Sequence, residues 1–99
     1  MVYHYIYEPR ALLEYEEAIL WYYERSKQAS KNFELAVNEK LHEICLNPTQ
    51  YHIAKKHFRE TFLKKYPFSI IYFVEEENHT IVITSIFHSS RDPKRKFTA

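Results

Sequence analysis

At 99 residues the chain is long enough for one hydrophobic core and too short for two, so a single domain spanning 1–99 is expected. Hydrophobic residues at 45% and charged residues at 27% match an ordinary globular composition and exclude disorder, while the absence of glycine excludes the Gly-rich phosphate loops of P-loop and Rossmann proteins. The net charge of +1 conceals a segregation: residues 8–25 hold five Glu against two Arg (net −3), residues 55–65 hold five basic residues against Glu60 (net +4), and residues 88–96 hold four against Asp92 (net +3). Either two faces with different partners or two solvated faces would give this pattern, and a local basic field attracts phosphate whatever the total charge.

In chain order, residues 3–7 alternate around Ile6 and are rich in strand formers, so a short first strand is expected. Pro9 stands where a helix begins without cost, because its missing N–H falls among the donors that a first turn leaves unpaired. Leu12, Tyr15, Ile19, Tyr22 and Tyr23 follow on one helical face, with Glu14, Glu17 and Glu24 on the other, as far as Ser26. Residues 26–30 read as a short connection in which Ser30 is a candidate N-cap. A second amphipathic helix carries Phe33, Ala36, Val37, Leu41, Ile44 and Cys45, with Lys40 as the break in its stripe and Asn47-Pro48 as its stop. So short a link makes the two helices an antiparallel hairpin.

A polar loop holding Tyr51, Lys55, Lys56 and His57 precedes three strand-like segments at 58–65, 68–74 and 80–87. Tyr66-Pro67 turns the chain between the first two, and residues 75–79 form a hairpin loop with Asn78 as the candidate left-handed residue. The last two segments are near-continuous runs of Ile, Val, Phe and Tyr, which implies strands covered on both faces at least in part. The order β-α-α-β-β-β, with its helices in one block, predicts an α+β fold: a short N-terminal strand, an antiparallel helical hairpin and a three-stranded antiparallel meander. Residues 93–99 are expected to be a flexible basic tail.

No apolar run approaches the roughly 20 residues of a membrane span, and no signal-like start is present, so a cytoplasmic protein without membrane association is expected. Cys45 has no second cysteine to pair with and lies on the second helix's apolar stripe, as a small buried hydrophobe would. Six histidines invite a metal reading, but His52 and His57 stand five apart in a loop, and no Cys pair or His-Glu-x-x-His spacing supports zinc. No metal and no cofactor are expected.

Asn47-Pro48, Phe58-Arg59-Glu60-Thr61-Phe62-Leu63, Tyr66-Pro67-Phe68-Ser69-Ile70-Ile71-Tyr72 and Ile86-Phe87-His88-Ser89-Ser90-Arg91-Asp92-Pro93 together resemble the RelE/ParE superfamily of bacterial toxins. The Tyr-Pro-Phe element followed about twenty residues later by His-x-x-Arg-Asp-Pro is most similar to the ParE-type branch. The resemblance implies the toxin of a type II toxin-antitoxin module, associated with plasmid stabilization and neutralised by a cognate antitoxin. RelE-like members cleave messenger RNA on the ribosome, whereas ParE-like members poison DNA gyrase.

Metal-free RNA cleavage needs a base for the 2'-hydroxyl, an acid for the leaving oxygen and cations for the phosphate. The resemblance aligns the lysine pair of RelE-like sequences with Glu60 and Phe62, and their arginine with Ser69. His88 matches the histidine of YoeB-like nucleases, but Ser89 stands where their tyrosine is expected. Arg59, Lys64, Lys65, His88 and Arg91 are therefore the candidate target-binding residues, and His88, Arg59 and Arg91 the candidate catalytic set if the protein is a ribonuclease. Each also has a structural alternative: His88 bonding backbone or tail, Arg59 and Arg91 in ion pairs, and Lys64 and Lys65 on opposite faces unless the chain turns there. The leading expectation is a gyrase-binding toxin that is not an enzyme. A ribosome-dependent mRNA endoribonuclease with a nonstandard site and an inactive member that binds its antitoxin or forms homodimers are the alternatives.

Overall fold

A computed structural model describes residues 2–97. The chain forms β1 (His4–Tyr7), α1 (Pro9–Arg25), α2 (Lys27–Leu46), β2 (Ile53–Lys55), β3 (Phe58–Phe62), β4 (Phe68–Glu75) and β5 (Thr80–His88), then a 3-10 turn at Pro93–Arg95. The fold is α+β, as the element order predicts, with one sheet in the order β1-β5-β4-β3-β2. β1 runs parallel to β5, and every other neighbouring pair is antiparallel. Two features go beyond the expected meander. Ile53–Lys55 adds a short edge strand to β3, and β1 joins the sheet beside the last strand.

Pro9 occupies the first turn of α1, as its backbone suits. The buried positions of that helix are Ala11, Glu14 and Ala18, with Tyr15, Ile19 and Tyr22 half-buried against the same core. The inner face is thus rotated from the expected stripe, and Leu12 and Tyr23 are exposed. The small side chains of Ala11 and Ala18, at i and i+7, lie on the buried face of the helix, which packs against β5. The helices meet at one residue: Ser26 is extended, and its hydroxyl accepts the Ala29 N–H at 3.2 Å. Ser30, expected as the cap, lies inside α2 and donates to the Lys27 carbonyl at 2.8 Å.

The main core lies between the helices and one sheet face, where Phe33, Val37, Leu41 and Ile44 meet Ile70, Tyr72, Ile81, Ile83 and Ile86. Cys45 is buried there as expected. On the opposite face, Phe58, Ile71 and Phe87 form a second cluster against Phe73 and Phe97. β4 and β5 are covered on both faces for that reason. Their hairpin contains a bulge, since Ile71 pairs with Ser85 but Tyr72 with Ile83, leaving Thr84 to donate its hydroxyl to the Ile71 carbonyl. The left-handed residue of the loop is His79 (φ 49°) in place of Asn78, whose amide instead donates to Glu75 at 2.6 Å.

β3 stops at Phe62, short of the expected residue 65, so Lys64 and Lys65 fall in the bend that includes Tyr66 and Pro67. The expected flexible tail folds back as far as Phe97: Asp92 caps the 3-10 turn through the Lys94 N–H, and Lys96 reaches Glu60. Residues 98 and 99 of that tail lie outside the described residues.

Candidate functional site

Alternation along β5 sends Ile86 to the helix side and Phe87 to the opposite side, so His88 returns to the helix side. Its ring meets Phe68 edge-on at 4.9 Å, and its Nδ1 accepts the Ser90 N–H at 2.9 Å. The histidine thus takes the backbone-bonding role left open by the sequence.

Arg91 follows in the same turn and pairs with Glu14. Sequence periodicity places Glu14 on the solvent face, yet it is 5% exposed and anchors this region. β1 accompanies β5 only as far as Ile83, so the β5 edge beyond it has no strand partner. The Glu14 carboxylate fills the gap. Its Oε1 accepts the Ile86 N–H at 3.0 Å and the Ser85 hydroxyl at 2.7 Å, while Oε2 takes Arg10 at 3.2 Å and Arg91. The only sequence signal for this role is the position of Glu14 between Ala11 and Ala18, on the stripe of small residues.

These contacts frame a cleft of about 420 Å³ between the C-terminal half of α1 and the ends of β4 and β5. His88, Ser90 and Arg91 line one side, Glu17, Trp21 and Tyr22 the other, and Phe68 closes the floor. Burial pushes the Tyr22 phenol up from its ordinary value, with Tyr66 adding to the shift.

Arg59, Lys64 and Lys65 are elsewhere. Arg59 donates to the Tyr51 carbonyl at 2.7 Å and the Thr49 carbonyl at 3.4 Å, tying β3 to the loop before β2. Lys64 and Lys65 both border a second groove, beside Glu39 and Glu43 of α2, which the bend after β3 makes possible. Glu43 is held below the usual carboxylate range, first by the Tyr51 hydroxyl that donates to it and further by Lys40 and Lys64. His88 and Arg91 are therefore brought together, Lys64 and Lys65 form a separate pair, and Arg59 joins neither.

The positions that the resemblance aligns with nuclease cations do converge, on the face away from the helices. Glu60 is 4% exposed and accepts the Ser69 hydroxyl at 2.7 Å. Lys96 closes over it at 3.0 Å, with its ammonium 5.6 Å from the rings of both Phe62 and Phe87. The patch carries one carboxylate and one ammonium in contact. Among the described residues no group of His, Cys, Asp and Glu could hold a metal ion, and no helix is long and apolar enough to cross a membrane.

Two helices laid over this mixed sheet give the chain a RelE-like fold. The structure is similar to the isolated E. coli RelE toxin, with a TM-score of 0.66 and 16% identity over 93% of this chain and 89% of that one. It is equally similar to a chain of the intact E. coli RelBE toxin-antitoxin complex, with a TM-score of 0.66 and 16% identity over 90% of this chain and 99% of that one. No curated protein sequence matches the chain. Residues 5–93 match the ParE toxin of the type II toxin-antitoxin system parDE, and the chain belongs to that family.

Proposed function

We propose that this ParE-family toxin acts by binding DNA gyrase and is neutralised by a cognate antitoxin. The carrying observation is the patch at Glu60, Phe62 and Ser69, where the resemblance expects cations and the chain instead buries a carboxylate under its own Lys96. An unpaired carboxylate would repel a scissile phosphate, and the paired one leaves no spare positive charge to stabilise the transition state. Of the alternative catalytic set, Arg59 is spent on loop carbonyls away from His88, and Arg91, which does lie beside His88, is spent on Glu14. Both arginines therefore serve the fold, which disfavours the ribonuclease reading.

The groove bordered by Lys64 and Lys65 supplies the basic contact surface for the target. His88 contributes through the α1 cleft. For the antitoxin, the two outer strands, β1 and β2, offer edges to which a strand could be added, and Tyr5, Ile6 and Ile53 are exposed along them. A test is induction in bacteria with and without the neighbouring antitoxin gene, followed by mapping of transcript ends. Growth arrest with intact transcripts, relieved by the neighbour, is the expected result. Codon-phased cleavage lost in His88→Ala would establish the ribonuclease reading, and no arrest from soluble folded protein would establish an inactive member.

A further inference from the structure

The α1 cleft sets aromatic side chains beside one unpaired carboxylate among its lining residues. Arg91 shares the Glu14 carboxylate with Arg10, and the His88 Nδ1 is taken by the Ser90 N–H. Among the described residues Glu17 is the one carboxylate lining the cleft without a hydrogen bond or ion pair. It stands beside Trp21 and Tyr22, whose rings meet edge-to-face at 5.0 Å. The Trp21 ring already accepts a guanidinium, since the Arg25 Cζ lies 3.3 Å from its centroid while Arg25 donates to the Trp21 carbonyl. Residues 8–25 are net acidic, and Leu13 and Leu20, about one helical turn on either side of Glu17, are exposed.

From this we infer that the α1 cleft is a receptor for an arginine or lysine side chain, presented by a basic, partly apolar segment of a partner protein. The cation would pair with Glu17 and lie against Trp21 and Tyr22, a combination of charge-assisted hydrogen bonding and cation–π attraction. Leu13 and Leu20 would take the apolar neighbours on the incoming segment. An anionic ligand is disfavoured, because it would face the unpaired Glu17 carboxylate while Arg91 is held by Glu14. The inference concerns a different surface from the Lys64 and Lys65 groove, and it holds whether or not gyrase is the target.

Trp21 is the single tryptophan of the chain and reports on the cleft directly. The intact protein is titrated with N-acetyl-arginine amide, N-acetyl-lysine amide, N-acetyl-glutamine amide, N-acetyl-glutamate amide and inorganic phosphate, following Trp21 fluorescence and amide NMR shifts of α1. Saturable changes with the two cations, roughly fivefold or more tighter than with the glutamine amide, are expected from one partly exposed charge pair and a ring contact. Glu17→Gln should remove that preference, and Glu24→Gln, on the same helix outside the cleft, should keep it. Equal or stronger responses to phosphate or the glutamate amide would overturn the inference. So would an unchanged arginine preference in Glu17→Gln, or the absence of any saturable change in the wild-type protein.

Discussion

At the residue scale, two buried carboxylates organise the protein, and neither is apparent from hydrophobic periodicity. Glu14 holds the open edge of β5 and the turn carrying Arg91, so Glu14→Ala leaves a buried N–H, a hydroxyl and an arginine without their acceptor. Removing one partner of such a pair costs about 3 kcal/mol, measurable by urea unfolding, and Glu14→Gln should cost less because an amide oxygen can still accept the Ile86 N–H. Glu60 depends likewise on Lys96. Lys96→Ala should destabilise by about 1–3 kcal/mol, and the double variant with Glu60→Gln should recover part of the loss, as a double-mutant cycle would show. The sequence shows Glu60 where the resemblance to RelE-like toxins implies lysine, but its covering cation comes from 36 residues away. Periodicity weighs apolar letters, and a glutamate that replaces a missing strand partner has none.

At the element scale, most of the fold is legible because each element follows a local rule. Pro9 starts α1, Asn47-Pro48 marks the end of α2, and the continuous apolar runs mark the two strands covered on both faces. What is missed depends on partners distant in sequence or on single-residue chemistry. β2 is three residues in a polar loop and exists only because β3 pairs with it, with Lys56 turning the chain at φ 54°. The parallel placement of β1 requires β5, more than 70 residues later. The helix junction is decided by Ser26, whose extended backbone and hydroxyl end one helix and begin the next. Ser26→Ala should therefore cost about 1 kcal/mol of stability, whereas Ser26→Asp should keep most of it, read from thermal unfolding.

At the scale of the whole molecule, a core built from rings ties stability to pH on the alkaline side. Tyr15 is pushed up to about 12, chiefly by burial and then by Glu34 and Tyr5; Tyr51 is also at about 12, by burial and its bond to Glu43. Burial raises Tyr7 and Tyr72 as well, with Arg59 partly opposing the rise at Tyr72. A phenol whose folded value is raised stabilises the fold fully below its unfolded value near ~10, and that contribution is lost as pH rises through the folded value. Stability should thus be flat from neutral pH to about 10 and fall above it, with a subset of the nine tyrosines ionising late in a spectrophotometric titration. The same rings and ion pairs cover the sheet face on which the aligned nuclease positions converge, which is the ground for proposing action by binding. The most direct test is a supercoiling assay with purified DNA gyrase and the purified protein, run beside a ribosome-programmed mRNA cleavage assay. Dose-dependent loss of gyrase activity, reversed by the cognate antitoxin, with the mRNA left intact, is the expected result; active gyrase together with cut mRNA would overturn the gyrase-binding proposal.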